Sequence, residues 1–138
     1  MTPSDDEPSP TRLHHVPTSH LTGDTAQSSG MRRLEAISGA MTGAARIWMG
    51  ESHLDPATRS SNHHHGESET GIYVLRGHPV FVFLKGDEET RIETQPGDYV
   101  FVPPFVAHRE ENPSPSEEAV VILARSTQEA IVVNLSTT

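Results

Sequence analysis

Three consecutive histidines stand in a polar loop, SSNHHHGESETG at residues 60–71, directly ahead of an apolar run. His63 and His65 are one residue apart, so in an extended segment their side chains leave the same face and can converge on one ion, while His64 points the other way. Glu69 follows four positions after His65, and His108 lies near the end of PGDYVFVPPFVAHREEN, residues 96–112. With no cysteine in the chain, a transition-metal site must be built from imidazole, carboxylate and water. Glu69 reads equally as a metal ligand and as a solvated carboxylate. His53 and His78 are spare candidates for a fourth ligand, and His14, His15 and His20 fall in a segment suited to solvent.

The elements that must position these residues are short. Beyond residue 70 the chain is a succession of β-branched and aromatic runs, GIYVLR, VFVFLK, TRIETQ, DYVFV, AVVILA and AIVVNL, separated by turn residues at 77–79, 85–89, 96–98 and 112–118. Residues 44–49 are expected as a first strand. No helical period of useful length follows residue 50, and no internal repeat is present, so the pattern predicts a small all-β sandwich or barrel. Trp48, Tyr73, Phe81, Phe83, Tyr99 and Phe101 read as core, half of them facing inward, with Tyr73 nearest the metal strand.

At 138 residues the chain suits one compact domain, with residues 1–20, rich in Pro, Ser and Asp, as a mobile tail, 21–43 as an N-terminal arm packing on the barrel or on a partner subunit, and 44–138 as the barrel. Nineteen acidic against ten basic residues give a net charge of -9, which disfavours nucleic acid as a partner. Arg76, Arg91 and Arg109 are candidates to hold an anionic substrate or to be ordinary surface charges. No apolar run approaches the ~20 residues that span a bilayer, and the acidic, prolyl N-terminus is unlike a signal peptide, so a cytoplasmic protein with no membrane partner is expected.

His63, His65, Glu69 and Gly77 follow the first motif of the cupin superfamily closely. Counting back over six intervening residues from Gly77 reaches Thr70, so either Glu69 or Thr70 takes the motif's carboxylate place, and one residue's slip decides which of them faces inward. Gly97, Pro103, His108 and Asn112 match the spacing of the second motif, with Phe105 where glycine is usual. Because Phe105 adopts positive φ less cheaply than glycine, a different turn geometry is expected there, with its ring beside the pocket.

The chain thus resembles a cupin, and within that superfamily HHHG with SET, and ARSTQEAIVVNL, look most like small single-domain bacterial cupins related to those of aromatic polyketide biosynthesis. The resemblance implies a double-stranded β-helix, or small jelly-roll barrel, with the histidines at the cavity mouth. It implies a divalent metal on His63, His65 and His108 with Glu69. Zinc is the expected ion, and iron, copper, nickel and manganese are the alternatives. The implied function is that of an enzyme acting on a keto or polyketide-like small molecule, the metal serving as Lewis acid for cyclisation or enolisation. A non-catalytic small-molecule-binding cupin and an iron or copper dioxygenase are the competing readings. TAQSSGMRR, residues 25–33, resembles the arm of such proteins that packs on a partner, which implies a homodimer.

Overall fold

The computed structural model describes residues 12–25 and 27–135, so residues 1–11 of the expected tail lie outside the described residues. The elements run β1 (Met31–Ile37), α1 (Gly39–Thr42), β2 (Trp48–Leu54), β3 (Thr58–Arg59), β4 (His63–His64), β5 (Thr70–Arg76), β6 (Val80–Lys85), β7 (Glu88–Glu93), β8 (Tyr99–Val102), β9 (His108–Asn112), β10 (Ala119–Arg125) and β11 (Val133–Asn134). The strand expected at 44–49 is therefore the second, displaced to Trp48–Leu54, and β1 precedes it.

Two antiparallel sheets face each other, one in the order β1-β2-β10-β5-β8 and the other β11-β4-β9-β6-β7, with β3 attached to β9. The chain alternates between them, which is the winding of a double-stranded β-helix. Period-two side-chain alternation explains which sequences made these strands. On β5, Thr70, Ile72 and Val74 are buried while Gly71 and Leu75 are exposed. On β10, Ala119 and Val121, two residues apart, share the inward face. Ile72, Val74, Ala119 and Val121 join Met31, Leu54, Phe81 and Val102 in one apolar cluster. Burying each large aliphatic or aromatic member stabilises the fold by roughly 1.5–3 kcal/mol. β7, at the edge of the second sheet, reads EETRIE and is exposed throughout, so its charges discourage further strand pairing.

Two glycines are required by close approach. At Gly50 a Cβ would lie 2.2 Å from the Leu34 carbonyl of the neighbouring strand and 2.7 Å from the Trp48 indole. Gly77 combines a φ of +81° with a would-be Cβ 2.9 Å from the Ala119 backbone.

Half of the aromatic residues expected in the core are there, Trp48 and Phe81 buried and Phe83 half-buried opposite His108. Tyr99 and Phe101 lie on the outer face of β8 at 80% and 60% exposure. Tyr73 faces outward with them, its ring 4.9 Å from that of Tyr99. The phase of β5 decides this: with Ile72 and Val74 inward, Tyr73 must point away from the histidines.

Asn112 ends β9 as a buried clamp. Its Nδ2 donates to the carbonyls of Leu54 (3.1 Å), Asp55 (3.2 Å) and Glu117 (2.8 Å), and its Oδ1 accepts from the Ser114 amide at 3.2 Å. One amide thereby ties β9 to the end of β2 and to the turn before β10. Removing it leaves buried carbonyls without donors, so Asn112→Ala should lower unfolding stability by about 3 kcal/mol. Urea denaturation measures this, and a loss below about 1 kcal/mol would show that the clamp matters little.

Candidate metal centre

The histidine-bearing strands meet at the polar end of the barrel. His63 on β4 and His108 on β9 are direct cross-strand partners and share the inner face. His65 follows two residues after His63. The three rings are mutually packed, with centroids 4.6–5.1 Å apart, and one ring nitrogen from each lies within 4.8 Å of the others.

Their second nitrogens are already committed. His63 Nδ1 lies 2.7 Å from the Ser61 carbonyl, His65 Nδ1 2.8 Å from that of Ile131, and His108 Nδ1 2.9 Å from that of Val106. A carbonyl oxygen can only accept, so each Nδ1 carries the proton and donates it. Each Nε2 is left with an unprotonated lone pair, the form that binds a metal ion. The Nε2 of His108 is buried with no hydrogen-bond partner among the described residues, leaving its lone pair for a ligand. Burial pushes the His65 and His108 imidazoles below the ordinary histidine value, and the neighbouring histidines add to the depression. Glu110 and the carbonyl bonds oppose it without reversing it. This histidine triad can hold a metal ion.

Glu69 is not part of the cluster. It is exposed just before β5, its amide bonded to Ser126 Oγ at 2.9 Å, whereas Thr70 starts the strand in phase with Ile72 and Val74 and is buried on the cavity wall beside His65. A neutral hydroxyl thus stands at the inward position. His53 and His78 are elsewhere, His53 bonded to Glu118 at 3.1 Å and His78 to the Thr94 carbonyl at 3.1 Å. The arginines considered from sequence face away from the cavity. Arg109 binds Glu89 and Glu111 at 2.7 Å each, Arg91 binds Glu111 at 3.0 Å, and Arg76 lies 3.8 Å from Glu118.

Sequence reasoning missed three charged residues lining a cavity otherwise walled largely by apolar side chains such as Ile72 and Val121: Arg33 on β1, Arg125 on β10 and Glu110 on β9. Glu110 is two residues from His108 and so on its face, a phase that could have been read had HREEN been taken as a strand. The cavity has a volume of about 60 Å³ and touches the centre through His65. A separate apolar cleft of about 410 Å³, between β6, β7 and β8, reaches the centre through His108.

The turn that delivers His108 corrects another expectation. Phe105 takes φ +63°, the left-handed conformation that glycine would take, and its amide donates to the Gly66 carbonyl at 2.8 Å. Its ring is 66% exposed, 5.9 Å from that of His64. The turn geometry is kept at a strain of about 1–2 kcal/mol because the Gly66 bond and the following strand over-determine it.

Two outcomes follow. Phe105→Gly should relieve this strain and raise stability by about 1 kcal/mol in thermal unfolding; a loss of that size would mean that the ring contact outweighs the strain. In metal-free protein, His65 and His108 titrate below the unfolded value of about 6.5, so the unfolded chain binds more protons below that pH. Stability should therefore fall as pH drops from about 7 through the folded values and level off beneath them. The fall should be shallower in His108→Gln. Urea unfolding of chelator-treated protein across this range would contradict the assignment if wild type and variant gave the same slope.

Known proteins share this architecture. The polyketide cyclase RemF from Streptomyces resistomycificus superposes with a TM-score of 0.74 at 19% identity, over 92% of this chain and 88% of that one. An oxalate oxidase bound to the substrate analogue glycolate gives 0.68 at 17% identity, over 82% of this chain and 59% of that one. The oxalate decarboxylase of Bacillus subtilis, whose Mn(II) centres have been studied, gives 0.68 at 21% identity, over 79% of this chain and 29% of that one. No curated protein sequence matches. The family profile described as "Cupin domain" matches residues 50–124, from within β2 to the end of β10, and the chain belongs to that family.

Proposed function

We propose that this cupin is a metal-dependent enzyme acting on a small keto or polyketide-like substrate, promoting enolisation or cyclisation. The observation that carries the reading is the set of three Nε2 lone pairs, each fixed by a backbone carbonyl on the other side of its ring. Three imidazole ligands with no carboxylate or thiolate suit a divalent ion with open positions, and zinc is the expected one. A divalent ion held by His63, His65 and His108 would supply Lewis-acid polarisation of a keto oxygen.

The chain's own residues do the rest. Phe81, Phe83, Val100 and Ile92 wall the apolar cleft that reaches His108, a site for the carbon body of a substrate. Thr70 offers a hydroxyl beside His65, and Glu110, on the face of His108, is the cavity's carboxylate and is placed to accept a proton from a carbon acid. The likeness to a polyketide cyclase across most of both chains supports this choice over others available to the fold.

Elemental analysis of untagged protein purified without a nickel column tests the reading. About one zinc per chain is expected, lost in His63→Ala and His108→Ala by more than the ~10–100-fold that removing an outer hydrogen-bond partner costs, and retained in Glu69→Ala. Metal-dependent deuterium exchange at the α-carbon of ethyl acetoacetate should accompany it. Folded wild-type protein that takes up no zinc, iron, copper, nickel or manganese would defeat the metalloenzyme reading and favour a ligand-binding barrel. Iron or copper in place of zinc, with oxygen uptake, would favour a dioxygenase.

A further inference from the structure

The three histidines are not held alike. His63 and His108 face each other across paired strands, whereas His65 stands just past the end of β4, its ring fixed by the Ile131 carbonyl at 2.8 Å. That carbonyl belongs to residues 126–135, a segment after β10 in which no residue is buried and whose one regular element is the two-residue β11. A stretch with so few buried contacts opens at low cost while the rest of the fold stays closed. Ala130, Ile131 and Val132 of this segment also form one wall of the cavity that touches His65.

The segment is tied down at its two ends. At the far end β11 pairs with β4, and the Leu135 amide donates to the Asn62 carbonyl at 3.0 Å. At the near end the ties converge on Gln128. Its Oε1 accepts from the Gly39 amide at 2.7 Å, its Nε2 donates to the Ile47 carbonyl at 2.6 Å, and its own carbonyl accepts from Arg125 Nη2 at 2.8 Å. Thr127 adds a bond from its Oγ1 to Ser68 Oγ at 3.1 Å. Between these ends, from Glu129 to Val132, the one hydrogen bond to the barrel among the described residues is the one from His65.

We infer that Gln128 is a positioning residue for the metal centre, pinning a strap that otherwise opens and takes the support of His65 with it. Resting on the metalloenzyme reading above, the inference adds that strap closure and metal binding favour one another. An ion on Nε2 makes the Nδ1–H of His65 a stronger donor to the Ile131 carbonyl, which tightens the strap. A closed strap in turn fixes the ring with Nε2 toward the other two histidines, and linkage makes the two effects equal in size.

Hydrogen exchange read by mass spectrometry, on metal-free and zinc-loaded full-length protein, tests the coupling. Zinc should slow exchange in residues 127–135 at least ~10-fold and leave the turn at 113–118 within ~2-fold. In chelator competition Gln128→Ala should bind zinc at least ~10-fold more weakly, as when an outer support of a ligand is removed. Gln128→Glu, which keeps the acceptor for the Gly39 amide, should recover part of the loss. In metal-free Gln128→Ala, proton–nitrogen NMR should show His65 losing its Nδ1–H form while His63 and His108 keep theirs. Should Gln128→Ala fail to fold, Thr127→Val, which removes the bond to Ser68, should weaken zinc in the same sense. Strap exchange that zinc leaves unchanged, or folded Gln128→Ala binding zinc as wild type does, would overturn the inference. Release of the His65 tautomer by Gln128→Ala in a protein that takes up no metal would overturn the metalloenzyme reading alone.

Discussion

A carbonyl oxygen can accept a hydrogen bond but never donate one, and that asymmetry decides the chemistry of this barrel. Ser61, Ile131 and Val106 each present a carbonyl to one histidine, fixing the Nδ1–H form and leaving three basic nitrogens grouped together. Each carbonyl needs its own support. Val106 follows the strained Phe105 turn, which is tied to Gly66. Ile131 belongs to the segment that leads into β11, itself paired to β4 beside His63 and His64. The C-terminal segment is thus part of the centre.

Gathering imidazoles and hydroxyls inside a small barrel is costly, and the adjoining apolar core offsets it. There the inner faces carry Met31, Leu54, Ile72, Val74, Phe81 and Val121 at near-complete burial, and Asn112 locks β9 to the strands around it. β9 spans both regimes within five residues, from His108 at the centre to Asn112 in the clamp. Stability and site geometry are coupled through this one strand.

What could be read from the sequence follows from the same division. VFVFLK and AVVILA announce themselves because their buried positions are apolar, and both histidine motifs stand out by residue type and spacing. β9, HREEN, and β1, MRRLEAI, are hidden as strands because their inward positions are His108, Glu110 and Asn112 in one and Arg33 and Glu35 in the other. A strand that lines a polar cavity lacks the alternation by which strands are recognised. The placement of Thr70 rather than Glu69 required the phase of β5, and the convergence of Arg33 and Arg125 required cross-strand register, neither of which a local window contains. Phe105 was misjudged because tertiary constraint outweighs the cost of left-handed backbone at a bulky residue.

The central claim is that Nε2 of His63, His65 and His108 is the basic nitrogen of each ring and the point of metal attachment. Long-range proton–nitrogen NMR of the imidazoles, before and after addition of zinc to metal-free protein, tests it most directly. The account predicts the Nδ1–H tautomer for all three rings in the metal-free state, with zinc perturbing chiefly their Nε2 resonances while His53 and His78 stay unmoved. An Nε2–H tautomer at any of the three, or zinc shifts appearing at other histidines instead, would contradict it.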